Sequence, residues 1–195
     1  MDYYSHTIRI TNFSFIDIYH IENIFKTGYL LSRRNLKEIL FKDDIQIGES
    51  SALFNGMDYI SLCDLSKKHE EYSAYNMYTQ NGLSLLFNKK IDVLIPKIVN
   101  IKAGNFIFGE DAHKLGMGIE RYSDLSDEVQ VKDKLSLDYL EGLMLSINRF
   151  NQFHKKEYLI KYLECLKLLL IRYEKDIPII NLDTENEILV EKIKV

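Results

Sequence analysis

The sequence predicts one α+β domain over residues 1–195. Residues 1–135 form its strand-rich core, and residues 136–195 form a helical part packed on that core. Three observations carry this expectation. Short runs of alternating apolar residues recur through the first 135 positions, near residues 8, 60, 85 and 130. A helical pattern lies between the first of these runs and Gly28. A longer amphipathic pattern, with Leu159, Tyr162, Leu163, Leu166, Leu169, Leu170 and Tyr173 on one face, fills the C-terminal third.

Taken in order, residues 3–10 read as a strand, with Ile8 and Ile10 on one face and Arg9 on the other. Ser14 is placed to cap a helix that carries Ile18, Ile21, Ile24 and Phe25 at helical spacing, and Gly28 ends it. Tyr29-Leu-Leu-Ser32 is extended, and a polar loop follows. Gly56-Met-Asp58 turns the chain into a strand at Tyr59–Cys63. Ser66 to Thr79 reads as a helix with Tyr72, Tyr75 and Tyr78 along one side, stopped at Asn81-Gly82. Residues 83–87 and 93–95 read as strands, the second ended by Pro96. The stretch 101–126 carries Gly104, Gly109, Gly116 and Gly118 with weak periodicity, which suits a long loop with a function. Glu128 opens the alternating Val129/Val131 strand. Ser136 is expected to cap a helix running to about Asn148, and Ile177-Pro178 to break the amphipathic helix. Ile188–Val190 is expected to pair at a sheet edge.

The composition narrows the function classes. A hydrophobic fraction of 46%, 28% charged residues and a net charge of -4 describe an ordinary soluble domain without a broad basic face for nucleic acid. The longest apolar run, Leu168 to Ile171, is too short for a bilayer, and residues 1–6 do not open a secretory signal. The expected location is the cytoplasm, and a protein delivered to another cell by a signal-independent route has the same signature. Cys63 and Cys165 form no CxxC pair and read as reduced core residues. Glu110 and His113 sit one helical turn apart without a second pair, so no metal site is expected. No P-loop, nucleophile elbow or Gly-rich dinucleotide fingerprint is present.

Three separated pieces point to one chemistry. They are Tyr4-Ser-His6-Thr7 with the following helix, Gly28 and Tyr29-Leu-Leu-Ser32; Asp58-Tyr59-Ile-Ser61-Leu-Cys63; and Asp127-Glu128-Val-Gln-Val131 followed by Ser136-Leu-Asp-Tyr-Leu140. In this order they resemble the ADP-ribosyltransferase superfamily, on the branch shared by PARP-type and DarT-like enzymes. The resemblance implies a split β-sheet core and NAD as cosubstrate. It implies mono-ADP-ribosyl transfer to an acceptor macromolecule, protein or nucleic acid, with NAD hydrolysis as a side activity. It assigns Glu128 the catalytic carboxylate and His6 a ribose contact. Thr7 would contact the nicotinamide amide, and Tyr59, Tyr72 or Tyr75 would stack on its ring. Ser61 lies in the block walling that pocket, and Arg9 or Arg33 would pair with the pyrophosphate. His20 is the alternative first-block histidine, since His6 lies farther from Gly28 than the branch pattern has it. An antitoxin or inhibitor protein is a partner such enzymes imply. Two rival readings are a catalytically silent binding protein that grips its partner through the Leu159–Tyr173 stripe, and an RNA 2′-phosphotransferase-like enzyme, which would need a basic groove.

Overall fold

The computed structural model describes residues 1–9, 15–32, 34–36, 59–67, 79, 82–94 and 128–189. In chain order these form β1 (Tyr3–Arg9), α1 (Phe15–Thr27), β2 (Tyr29–Leu31), β3 (Tyr59–Asp64), β4 (Gly82–Asn88), β5 (Glu128–Lys132), β6 (Lys134–Ser136), β7 (Leu140–Leu145), α2 (Ile147–Phe153), α3 (Lys156–Arg172), β8 (Ile179–Asn181) and β9 (Asn186–Glu187). The architecture is α+β, as expected. Among the described residues, seven strands make a mixed sheet in the order β5, β3, β1, β4, β7, β8, β9, and β2 pairs with β6 beside it. All neighbours in the large sheet run antiparallel except β7 and β8.

The helices lie on one face of this sheet. Tyr4 and Ile8 of β1, Ile60 and Leu62 of β3, Leu83, Leu85 and Phe87 of β4 and Leu143 and Leu145 of β7 pack with Ile21 and Phe25 of α1. The α3 residues Leu159, Tyr162, Leu163, Leu166, Leu169 and Leu170 complete the same core. The stripe read from the sequence is therefore buried, and each leucine in it stabilises the fold by about 1.5–3 kcal/mol. The opposite face carries a smaller cluster of Cys63, Leu65, Leu86, Met144 and Leu182, flanked by Met1, Tyr3 and Ile180.

Local chemistry explains several boundaries. Gly28 ends α1 at φ +72°, donating its N–H to the carbonyls of Ile24 and Phe25 at 3.0 and 3.2 Å. A side chain at that φ would be strained. Gly82 starts β4 because a Cβ there would stand 2.5 Å from the Ile8 carbonyl oxygen.

Three expectations change. Residues 93 and 94 of the expected strand belong instead to a 3₁₀ turn, Lys89–Leu94, directly after β4, and residue 95 lies outside the described residues. The helix expected from Ser136 is replaced by a single 3₁₀ turn, Leu137–Tyr139, and then by β7. Ser136 does cap, accepting a bond from the Asp138 N–H at 3.1 Å, but the helix that reaches residue 148 is capped instead by Ser146, through the Arg149 N–H at 2.9 Å. The sheet thus continues well past residue 135. The C-terminal edge strand forms at Asn186–Glu187, slightly before its expected place, with the Ile188 N–H bonded to the Ile179 carbonyl at 2.7 Å.

Candidate functional site

One described stretch from each of the three sequence blocks, Tyr4–Thr7, Tyr59–Cys63 and Glu128–Val131, lies on one of three neighbouring strands, β1, β3 and β5. Glu128, the first residue of β5, pairs with Cys63, and Cys63 pairs with Ser5. One row of the sheet therefore runs from Glu128 through Cys63 and Ser5 to Leu86 on β4. Strands stand about 4.8 Å apart, so Glu128 and Ser5 are separated by about 10 Å along this row.

The joint between β1 and β3 is short. Among the described residues it holds two pairs, Tyr4–Asp64 and Ser5–Cys63, although both strands run on. By comparison, β1 pairs with β4 along seven positions and β3 with β5 along five. The large sheet is split there: beyond Ser5–Cys63, the ends of β1 (His6–Arg9) and β3 (Tyr59–Leu62) continue without ladder pairing to each other. This is the split core the sequence led us to expect.

Register then sorts the candidate positions. Alternation puts His6 between Tyr4 and Ile8 on the helix-covered face, in the row of Leu85. Ser5 and Thr7 belong to the other face, with Cys63 and Leu86. The positions of Arg9, Tyr59, Ser61 and Glu128 fall by the same alternation in the rows of that second face. His6 and Glu128 thus occupy opposite sides of the pleat, and what they share is the border of the split. His6 is half-buried; His20 is exposed on α1, its ring 6.1 Å from that of Tyr19. Arg33, Tyr72, Tyr75, Tyr78, Glu110 and His113 lie outside the described residues.

The second face carries a hydroxyl group of contacts that sequence reading did not single out. Thr7 Oγ1 and Ser84 Oγ share a hydrogen bond of 2.8 Å across the β1–β4 pair. Ser84 and Ser5 are buried, and Ser5 Oγ has no hydrogen-bond partner among the described residues. Alternation in Gly82-Leu-Ser-Leu-Leu86 was the available signal, since it sets Ser84 on the same face as Leu86.

Charge gathers at the closed end of the split. Lys89 Nζ sits 2.5 Å from Asp64 Oδ1 and 3.7 Å above the Tyr4 ring. Asp64 Oδ1 also accepts bonds from the Ser66 N–H and hydroxyl at 3.0 and 2.7 Å. The Tyr4 hydroxyl donates to Asp92 Oδ1 at 2.6 Å. Burial alone would raise the Asp64 carboxyl, but the bonds from Lys89 and Ser66 outweigh it and hold the group below its ordinary value. Burial, and then the bond to Asp92, push the Tyr4 phenol well above its ordinary range.

Among the described residues, no group of three or more His, Cys, Asp or Glu side chains is placed to hold a metal ion, and no helix is long and apolar enough to cross a membrane.

No protein-family model matches the chain, and no curated protein matches it. Two solved structures align with it, both of DarT from Thermus sp. 2.9. One is in complex with NAD+, at 11% identity and a TM-score of 0.38, covering 85% of this chain and 90% of that one. The other is in complex with ADP-ribosylated single-stranded DNA, at 12% identity and the same TM-score, covering 86% and 90%.

Proposed function

We propose that the chain is an NAD-consuming mono-ADP-ribosyltransferase. The observation that carries this reading is the convergence of three blocks, far apart in sequence, on adjacent strands around one split in a sheet. The reading requires that the ligand enter at that split and meet both sides of β1, since His6 and Glu128 lie in rows of opposite faces.

In this reading Glu128 acts at the reacting centre. As the bond between ribose C1″ and the nicotinamide nitrogen breaks, its electron pair leaves with nicotinamide and positive charge grows on the ribose. A carboxylate fixed at a strand end stabilises that charge and accepts a hydrogen bond from the ribose 2′-hydroxyl. The acceptor nucleophile then bonds to C1″ and gives up its proton. His6 would hold a ribose hydroxyl, and the Thr7 backbone the nicotinamide amide. Tyr59, Tyr72 or Tyr75 would stack on the ring, Ser61 would line its pocket, and Arg9 or Arg33 would neutralise the pyrophosphate. The acceptor is a macromolecule, protein or nucleic acid, and water in its place gives NAD hydrolysis. Burial of the Leu159–Tyr173 stripe removes the support for a partner-gripping helix as the rival reading.

Incubation with NAD should release nicotinamide, measured by chromatography. Glu128→Gln should lower the rate by on the order of 10²-fold or more while leaving the thermal midpoint in place. Full turnover by Glu128→Gln would overturn the assignment. So would a wild-type protein that neither releases nicotinamide nor shows a thermal shift with NAD.

A further inference from the structure

We infer that Lys89 and Asp64 form a clasp that fixes how far the sheet opens, and so positions β3 and β5 against β1. The two-pair joint between β1 and β3 is the only direct ladder between the β3–β5 pair and the rest of the large sheet among the described residues. Asp64 is half of one of those two pairs, opposite Tyr4. Tyr4 faces Phe87 on its other side, and Lys89 follows β4 immediately. Lys89 therefore starts from the β4 side, crosses above the Tyr4 ring and ends on the carboxylate of β3, tying three adjacent strands with one ion pair.

The pair is not a solvated surface contact. The Lys89 and Asp64 side chains are 22% and 12% exposed. Each component is held from outside as well: Ser66 fixes the carboxylate from the turn after β3, and Asp92 fixes the phenol under the lysine from the turn after β4. Removing the lysine charge would leave Asp64 desolvated beside the short ladder, so the local cost falls on the β1–β3 joint. Cys63, next to Asp64, is the residue paired with Glu128, so a change in the joint displaces the row to which Glu128 belongs. That last consequence rests on the proposed transferase reading; the clasp itself does not.

Hydrogen–deuterium exchange on the intact chain tests the clasp without NAD. Lys89→Met keeps the apolar stem over Tyr4 and should speed exchange of the β3 and β5 amides about tenfold, with β4–β7 amides such as Leu85 and Leu143 within about twofold of wild type. Lys89→Arg should leave β3 and β5 within about twofold of wild type. Asp64→Asn should likewise speed β3 and β5, and the double variant should exceed neither single change, because it breaks the same contact and leaves no desolvated charge behind. Equal acceleration in every strand, additive effects in the double variant, or unchanged β3 and β5 exchange would each overturn the inference. Failure of nicotinamide release would leave this result standing, since exchange reads the sheet and not the reaction.

Discussion

Tyr4 shows how one residue ties the stability of this sheet to pH. Its phenol is kept neutral by burial and by the bond to Asp92, so its folded value lies above the unfolded one. The stabilisation it provides is complete below the unfolded value, about pH 10, and is lost as pH rises through the folded value. Asp64 works in the opposite direction. Its folded value is depressed, so its contribution is complete above the unfolded value of about 3.9 and is lost as pH falls through the folded one. Denaturant midpoints should therefore hold steady near neutrality and fall at both extremes. Tyr4→Phe should cost about 1.5–3 kcal/mol at pH 8, the worth of a bond to a charged acceptor, and should make the alkaline decline shallower. A wild-type midpoint that stays level from pH 9 to 11 would contradict this account. None of these partners was legible in the sequence: Tyr4 and Asp92 are 88 positions apart, Asp64 and Lys89 are 25 apart, and each looks like an ordinary surface residue in its own neighbourhood.

Among the elements, β4 and β7 show what periodicity can and cannot tell. The strand β4 was readable although both its faces are buried, as were the start of β5 and the Gly28 end of α1. The strand β7 was not, because Leu140, Gly142, Leu143, Met144 and Leu145 are buried on both sides and leave no polar alternation. With Leu137, Leu140, Leu143 and Ile147 spaced at three and four, the same letters fit a helix, and a genuine cap at Ser136 strengthened that reading. Only pairing with β4 on one side and β8 on the other decides between them. The start of β4 yields a sharp test. Gly82→Ala should destabilise the fold by about 1–3 kcal/mol, because the new methyl meets the Ile8 carbonyl and the Thr7 methyl and the backbone must shift. On α3, Leu166→Ala should cost about 2–5 kcal/mol in urea unfolding, since Leu166 is fully buried. A value near zero would mean that this stripe is free to take a partner after all.

For the molecule as a whole, the order of the three candidate blocks along the chain was readable, and their meeting on adjacent strands was not. Strand neighbours here are set by long-range pairing: β1 touches β3 and β4, which follow it by some 50 and 75 positions. Short motifs around His6, Ser61 and Glu128 carry no record of which face of a pleat each occupies. That depends on register, and a slip of one position exchanges the faces.

The interior place of β1 has a practical corollary. Residues 3–9 form a strand held between β3 and β4, and both partners come much later in the chain. Loss of this strand would take from β3 and β4 the partner they share, and folding rates should respond more to changes in residues 3–9 than to changes at the β9 rim.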